Sequence, residues 1–376
     1  MLSRKLLKAS AALALAAVAG GYSVGYMKRV ADAYIFAYPL VIMDITRQVM
    51  EAEWSKEPRR KNNFNHIQRF PDHTFKNVVR PNNDTLYSIA WLDLSAGPLV
   101  LSVPDTDGRH YVIPLMDAWS NVFASVGKRS TGTQAGQYLI SGPNTSTDMP
   151  QITAPTGMVN ISAPTNMVWV IGRIQTNGKS DIPAVTKLQQ KFTLTALSDW
   201  QQGLITQGYG EVIGAPEDQK DPYHQLENMS ADNFFYLFSR LISKQPASDG
   251  DTAALANLAS IGVKTEETSD TDQLPFIKRL LAEQAISMTH QRIKQTLNDK
   301  SRLENGWSVQ RDSIGNYGAD YTTRAVVAMI GLGALPPAEA SYPNTLMDNQ
   351  QRPLSGEHDY RIHFTADALP PVDAFW

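Results

Sequence analysis

Between residues 77 and 175 the sequence is cut into short apolar runs by Gly, Pro, Asn and Asp at close intervals. No other feature constrains the fold as much. The punctuation leaves no room for long helices there and indicates short strands packed as a β-sandwich or barrel. Residues 85–94 set Thr85, Tyr87, Ile89 and Trp91 against Leu86, Ser88, Ala90, Leu92 and Leu94. Both sets are largely apolar, as for a strand covered on both faces. The runs 98–103 and 109–115 flank Asp105-Thr106-Asp107-Gly108 and read as a hairpin. Runs at 121–126, 137–140, 157–161 and 167–174 continue the series, and 78–80 leads into a turn at Pro81-Asn82-Asn83-Asp84.

On either side the pattern is helical. Residues 29–54 read as one helix with a kink expected at Pro39. Within it, 33–45 carries Asp44 as its single charge. Thirteen residues are too few to cross a bilayer, so this stretch is expected in the core. Residues 181–300 are expected to be helical, with helices at 231–244, 251–260 and 275–297. The last places Ile277, Leu280, Leu281, Ala285, Met288 and Ile293 on one broad stripe. A further helix at 319–332 ends at Gly333 and Pro336-Pro337, and 360–364 reads as a strand.

The first residues carry Arg4, Lys5 and Lys8, then ten apolar residues out of eleven at 9–19, closing on Ala17-Val18-Ala19. This is the layout of a secretory signal peptide over 1–19. It points to a periplasmic or secreted protein. The alternative is an uncleaved anchor in the inner membrane over 9–27, a weak span because of its Ala, Gly and Ser content. The chain has no Cys, which removes disulfides, thiolate nucleophiles and Cys-ligated metals. Its formal charge of −3, or −6 without residues 1–19, excludes a generally basic nucleic-acid binder.

Most short motifs carry no chemistry. Gly21-Tyr22-Ser23-Val24-Gly25 matches a serine-hydrolase pattern but has no strand–turn–helix context. The seven His show no metal-binding spacing, so neither a metal nor a cofactor is expected. The best polar constellation joins two segments: Arg80, Asn82, Asp84 and Tyr87 around a turn, and Asp117, Trp119 and Asn121 with Lys128 and Arg129 just beyond. Arg offers a planar fork for a carboxylate or phosphate, Asp a charge or base, Trp and Tyr a stacking wall. Set against that, Arg80 pairing with Asp84 or Asp117 would merely pin a sheet edge, and Asn and Asp serve ordinary turns.

The run Val79-Arg80-Pro81-Asn82-Asn83-Asp84-Thr85-Leu86-Tyr87-Ser88 resembles the signature of a bacterial family called domain of unknown function 1254. So do 114–125 (PLMDAWSNVFAS), Gly127-Lys128-Arg129, Pro164-Thr165-Asn166 and Gly172-Arg173. Tyr317-Gly318-Ala319-Asp320-Tyr321, Arg324-Ala325 and 370–376 (PPVDAFW) are similar to its usual partner, domain of unknown function 1214. The resemblance implies an α+β multidomain chain: an N-terminal helix and β-sandwich at 29–178, a helical middle at 181–300, and from 301–376 the start of a jelly-roll-like β domain. Relatives continue past Ala-Phe-Trp, so that last domain is expected to be incomplete, with exposed aromatic surface from about 340 onward. The resemblance supplies no reaction. Three readings stand: a cell-envelope module binding a small or anionic ligand, a hydrolase using Asp84 or Asp117 as acid or base, and a structural scaffold. Pairing into a homo-oligomer is compatible with each.

Overall fold

The computed structural model describes residues 2–53, 61–72, 82–143, 154–210, 221–266, 275–296, 303–309 and 312–375, with side chains described from Gly21 onward in the first helix. In chain order its elements open with helix α1 (Leu2–Glu53) and strands β1 (Asn65–His66), β2 (Thr85–Asp93), β3 (Leu99–Val103), β4 (Tyr111–Asp117) and β5 (Val122–Gly127). Helix α2 (Lys128–Thr131) and strands β6 (Gly136–Ser141), β7 (Val159–Ser162) and β8 (Met167–Gln175) follow. Then come α3 (Ile182–Gln189), β9 (Thr193–Ala196), α4 (Leu197–Gln201) and β10 (Tyr209–Gly210). The chain continues through α5 (Pro222–Glu227), α6 (Ala231–Ile242), α7 (Thr252–Ile261), α8 (Phe276–Thr296), β11 (Leu303–Glu304), β12 (Trp307–Ser308) and α9 (Tyr321–Ile330).

The fold is mixed α+β, built around two mixed sheets. A six-stranded sheet has the order β10-β1-β2-β8-β4-β5, and a four-stranded one the order β7-β6-β3-β9. The contacts β1–β10 and β6–β7 are parallel and the other pairs antiparallel. Strands β2 and β8 lie at the centre of the larger sheet and are buried along nearly their whole length. The alternation in the sequence now has a cause. Tyr87, Ile89, Trp91, Trp169 and Ile171 join a core shared with the helices. Leu86, Ala90, Leu92, Val168 and Val170 join a second core with Leu99, Leu101, Ile140 and Leu194 of the smaller sheet. Helices cover one face of the large sheet and the small sheet covers the other, so both faces must be apolar. Trp91 and Trp169, paired in register, stack with centroids 4.9 Å apart on the helix side.

Helix α1 is the axis of the helical layer. Ala33, Phe36, Ala37, Leu40, Val41 and Ile42 are buried against α6, α7, α8 and α9, which explains the nearly charge-free stretch. Asp44, the charge within it, is held by Arg47 at 2.7 Å.

Four expectations need correction. The runs at 99–103 and 111–117 form no hairpin: the turn at Asp105–Gly108, with Asp107 and Gly108 at positive φ, carries the chain from one sheet to the other. The region 181–300 is not all helix, because β9 pairs antiparallel with Leu99–Ser102 and completes the smaller sheet. The stripe on α8 is split: Ala282, Ala285 and Ile293 are buried, whereas Ile277, Leu280 and Met288 stand in solvent. Residues 360–364 form no strand; Tyr360, Ile362 and Phe364 are exposed and no neighbouring strand pairs with them. Beyond Ser341 most residues are exposed, as expected from about 340 onward. The segment 78–80 lies outside the described residues.

Candidate functional site

The polar constellation is split between opposite ends of the large sheet: Asn82, Asp84 and Tyr87 share one end with Lys128 and Arg129, and Asp117, Trp119 and Asn121 hold the other. Tyr87 pairs with Arg173 on β8, whereas Asp117 pairs with Val168. Five residues of strand separate those rows, about 17 Å at the usual rise. Arg80 lies outside the described residues.

At the first end the side chains close turns and staple loops. Asn82 Oδ1 accepts from Asp84 N at 3.0 Å and from Thr85 N and Oγ1 at 2.9 Å each. Asn82 N and Nδ2 both donate to the Tyr87 hydroxyl at 3.1 Å. Tyr87 is buried, with the Arg173 guanidinium carbon 5.6 Å from its ring centre. Asp84 is exposed in the turn. Lys128 Nζ donates to the Gly108 carbonyl at 3.0 Å, and Arg129 pairs with the buried Glu339 carboxylate at 2.6 Å. These contacts brace the turn before β2 and the loops around this end of the sheet. Gly127, just before Lys128, must be glycine: a Cβ there would strike the Tyr111 carbonyl.

At the other end Asp117 organises a tight loop. Its Oδ1 accepts from Trp119 N and Asn121 N at 2.9 Å each, and its Oδ2 from Asn121 Nδ2 at 3.0 Å. These bonds hold Ser120 at φ 66°, a left-handed conformation that costs an ordinary residue roughly 1–2 kcal/mol. Trp119 is buried, packs on Phe36 at 5.0 Å and donates from Nε1 to the Pro246 carbonyl at 3.0 Å. Burial pushes the Asp117 carboxyl up to about 6, against the lowering effect of the Asn121 and Trp119 hydrogen bonds and of the Arg324 charge.

Asp117, Trp119 and Asn121 line a cleft of about 270 Å³ together with Asp249, Asp251 and Arg324. The last three come from helical segments that the sequence reading did not join to the sheet. Asp251 sits in a capping box, its carboxylate accepting from Ser248 N at 3.0 Å and from the Tyr321 hydroxyl at 2.8 Å. Desolvation and this carboxylate push the Tyr321 phenol up to about 12. Arg324 is 3% exposed. Its Nη2 donates to the Gly318 carbonyl at 2.6 Å and its guanidinium lies 5.3 Å from the Tyr321 ring centre. Its Nε is buried without a hydrogen-bond partner, and among the described residues it makes no ion pair. The sequence did hold a signal for it: Arg324 is the one charge in the helix YTTRAVVAMI, on the packed side that also carries the buried Ala325 and Ala328. Among the described residues no group of three or more His, Asp and Glu side chains could hold a metal ion.

Residues 61–196 match the family model described as Protein of unknown function (DUF1254), and residues 339–376 that of Protein of unknown function (DUF1214), in the order the motifs imply. The first match ends with β9, so the strand inside the supposed helical region belongs to that domain. Among solved structures, the VPA0106 protein from Vibrio parahaemolyticus is similar in fold: TM-score 0.59 at 22% identity, covering 88% of this chain and 73% of that one. No curated protein matches the chain.

Proposed function

For a chain that carries these two domains of unknown function, we propose an exported cell-envelope protein that binds a small ligand in the Asp117–Arg324 cleft through an acceptor group such as a carboxylate. The observation that carries this reading is Arg324: a buried guanidinium on the cleft wall whose Nε has no partner. Burying a charge is expensive unless it is paired and hydrogen-bonded. Of the three acids that line the cleft, Asp249 is exposed and the two buried ones are already committed. Asp251 accepts from Ser248 and Tyr321, and Asp117 from Trp119 and Asn121. The uncommitted group on the buried wall is therefore a donor, Arg324 Nε, which suits an acceptor on the ligand. Export rests on the basic start and apolar run of residues 1–19. The two sheets are read as a β-sandwich, a reading supported by the apolar core they share, and the segment from 301 onward as the opening of a jelly-roll-like domain.

A second reading makes the cleft hydrolytic, with Asp117 as general acid or base. It is favoured by a carboxyl raised to about 6, near a working pH. Two variants separate the readings. Arg324→Lys keeps the charge but loses the fork, and should weaken a carboxylate ligand at least about tenfold, the worth of one charge-assisted hydrogen bond. Native mass spectrometry of the full chain, followed by calorimetric titration with a panel of small mono- and dicarboxylates, measures this. If Arg324→Lys binds every acid that the parent binds equally well, the guanidinium is structural and the binding reading fails. Asp117→Asn should abolish turnover of test esters under the second reading and leave carboxylate binding at neutral pH within a few-fold under the first.

A further inference from the structure

The outer face of α8 is apolar over its first turns and turns polar from Gln284 onward, with Met288 as an exception, and these apolar side chains are exposed. Ile277 is 72% exposed, Leu280 54% and Met288 58%, opposite the buried row of Ala282, Ala285 and Ile293. Phe276, at 65%, extends this face at the start of the helix. The end that holds Phe276 lies where α1 enters the core: Lys278 Nζ is 5.8 Å from the Tyr26 ring centre. One turn before Tyr26 on α1, Tyr22 is 56% exposed, and Val24, on the other side of the helix, is 70% exposed. Adjacent exposed apolar side chains on two helices are unusual on a surface that meets only water.

Helix α1 supplies the reason. It is one helix from Leu2 to Glu53, and Tyr26 is already buried. Only the six residues 20–25 separate the apolar run at 9–19 from that side chain, the first buried one among the described residues, a rise of roughly 10 Å of helix from Ala19 to Tyr26. Whatever takes up the run is therefore flush with the end of the body that displays Phe276, Ile277 and Leu280. The run itself is eleven residues, roughly 16 Å as a helix, against a hydrocarbon core of about 30 Å. Among the described residues no helix is long and apolar enough to cross a membrane. An anchor of this kind is weak alone and gains from a second contact at the surface. Tyr22 is the residue type that settles at the headgroup level, and Lys28 and Lys278 flank the patch with positive charge.

We propose that Phe276, Ile277 and Leu280 of α8, with Tyr22 and Val24 of α1, form a membrane-docking face that seats on the headgroup–acyl boundary of the bilayer receiving residues 9–19. This rests on the reading that the N-terminal segment enters a membrane, and the experiment tests the two separately. Because the chain has no Cys, a single introduced Cys gives a unique labelling site. The full chain carrying Val18→Cys, Ile277→Cys, Leu280→Cys or Ile205→Cys is labelled with an environment-sensitive fluorophore. It is then reconstituted with phosphatidylethanolamine–phosphatidylglycerol vesicles holding shallow nitroxide lipids. Ile205, 49% exposed in the loop between α4 and β10, serves as the reference. The expected result is loss of fluorescence at positions 18, 277 and 280 and none at 205. Quenching at 18 alone overturns the docking face and leaves the membrane reading intact. No quenching at 18 overturns both. Self-quenching at 277 that follows protein density and not nitroxide content assigns the face to a second copy of the chain, and also overturns the proposal.

Discussion

At the residue scale, Asp117 and His66 pull the stability of this fold in opposite directions over nearly the same pH window. Burial raises the Asp117 carboxyl from its ordinary 3.8 to about 6. Between those values the native state holds more protons than the unfolded one. Its contribution is complete below about pH 4 and is lost as pH rises through about 6. Burial lowers His66 from 6.5 to about 4, so its contribution is complete above 6.5 and is lost as pH falls toward 4. Each shift corresponds to roughly 3 kcal/mol, so the two largely cancel. Replacing one unmasks the other. Asp117→Asn should make the urea midpoint climb with pH between about 4 and 6.5, and His66→Gln should make it fall over the same interval. A parent-like profile in both variants would mean that neither group titrates in this window. The Asp117 half of the site was legible because its motif packs an acid, an indole and an amide into five residues. Arg324 and Asp251 were not, since only tertiary packing brings α9 and the start of α7 to the end of β4. His66 was missed for a different reason: its Nδ1 lies 2.9 Å from the Ser88 hydroxyl, a partner 22 residues along the chain.

Among the elements, β9 decides where the first domain ends. Leu194 is buried between the two sheets, opposite Leu101 in register. Leu204, ten residues later, is 57% exposed. Leu194→Ala should therefore cost about 2–5 kcal/mol in urea unfolding, and Leu204→Ala no more than about 0.5. Equal effects would contradict the strand's place in the core. Strands β2 to β8 were legible to within a few residues because they are long or bounded by Gly and Pro, with apolar residues on both faces. The sequence Thr-Leu-Thr-Ala is too short to show a period between two helices, and so β9 was absorbed into the helical region. The false hairpin has a related origin. A turn motif such as Asp105–Gly108 specifies a local reversal, but not whether the next strand pairs with the last or crosses to another sheet. On α8 apolar content alone suggested one stripe, whereas the core takes Ala282, Ala285 and Ile293 and leaves Ile277, Leu280 and Met288 on the exposed side.

Across the whole molecule, three layers share two apolar cores; after α9, Leu332 still joins the helix-side core, but the segment from Ser341 onward belongs to neither. Residues 341–373 run along the surface with little regular pairing: isolated bridges join Ser308 to Asn344 and Met347 to Pro353. Leu346, Leu354, Tyr360, Ile362 and Leu369 are each at least 40% exposed. Fully burying a large apolar side chain is worth roughly 1.5–3 kcal/mol, and most of that is not realised here. The segment is tied at its ends, by Glu339 to Arg129 at 2.6 Å and by the Phe375 ring to His110 at 6.1 Å between centroids. Local opening between two such ties should need far less free energy than opening a helix packed on α1. Arg361 is exposed in this stretch and followed by Ile362, a bond trypsin accepts. Under native conditions trypsin should therefore cut after Arg361 well before it cuts at Lys187, Arg279 or Lys294, which lie in helices. Loss of 362–376 removes little buried surface, so the thermal midpoint of the remaining chain should stay within a few degrees of the parent. Resistance at Arg361 equal to that of the helical sites would show that this segment is covered in solution, by its own later residues or by another chain.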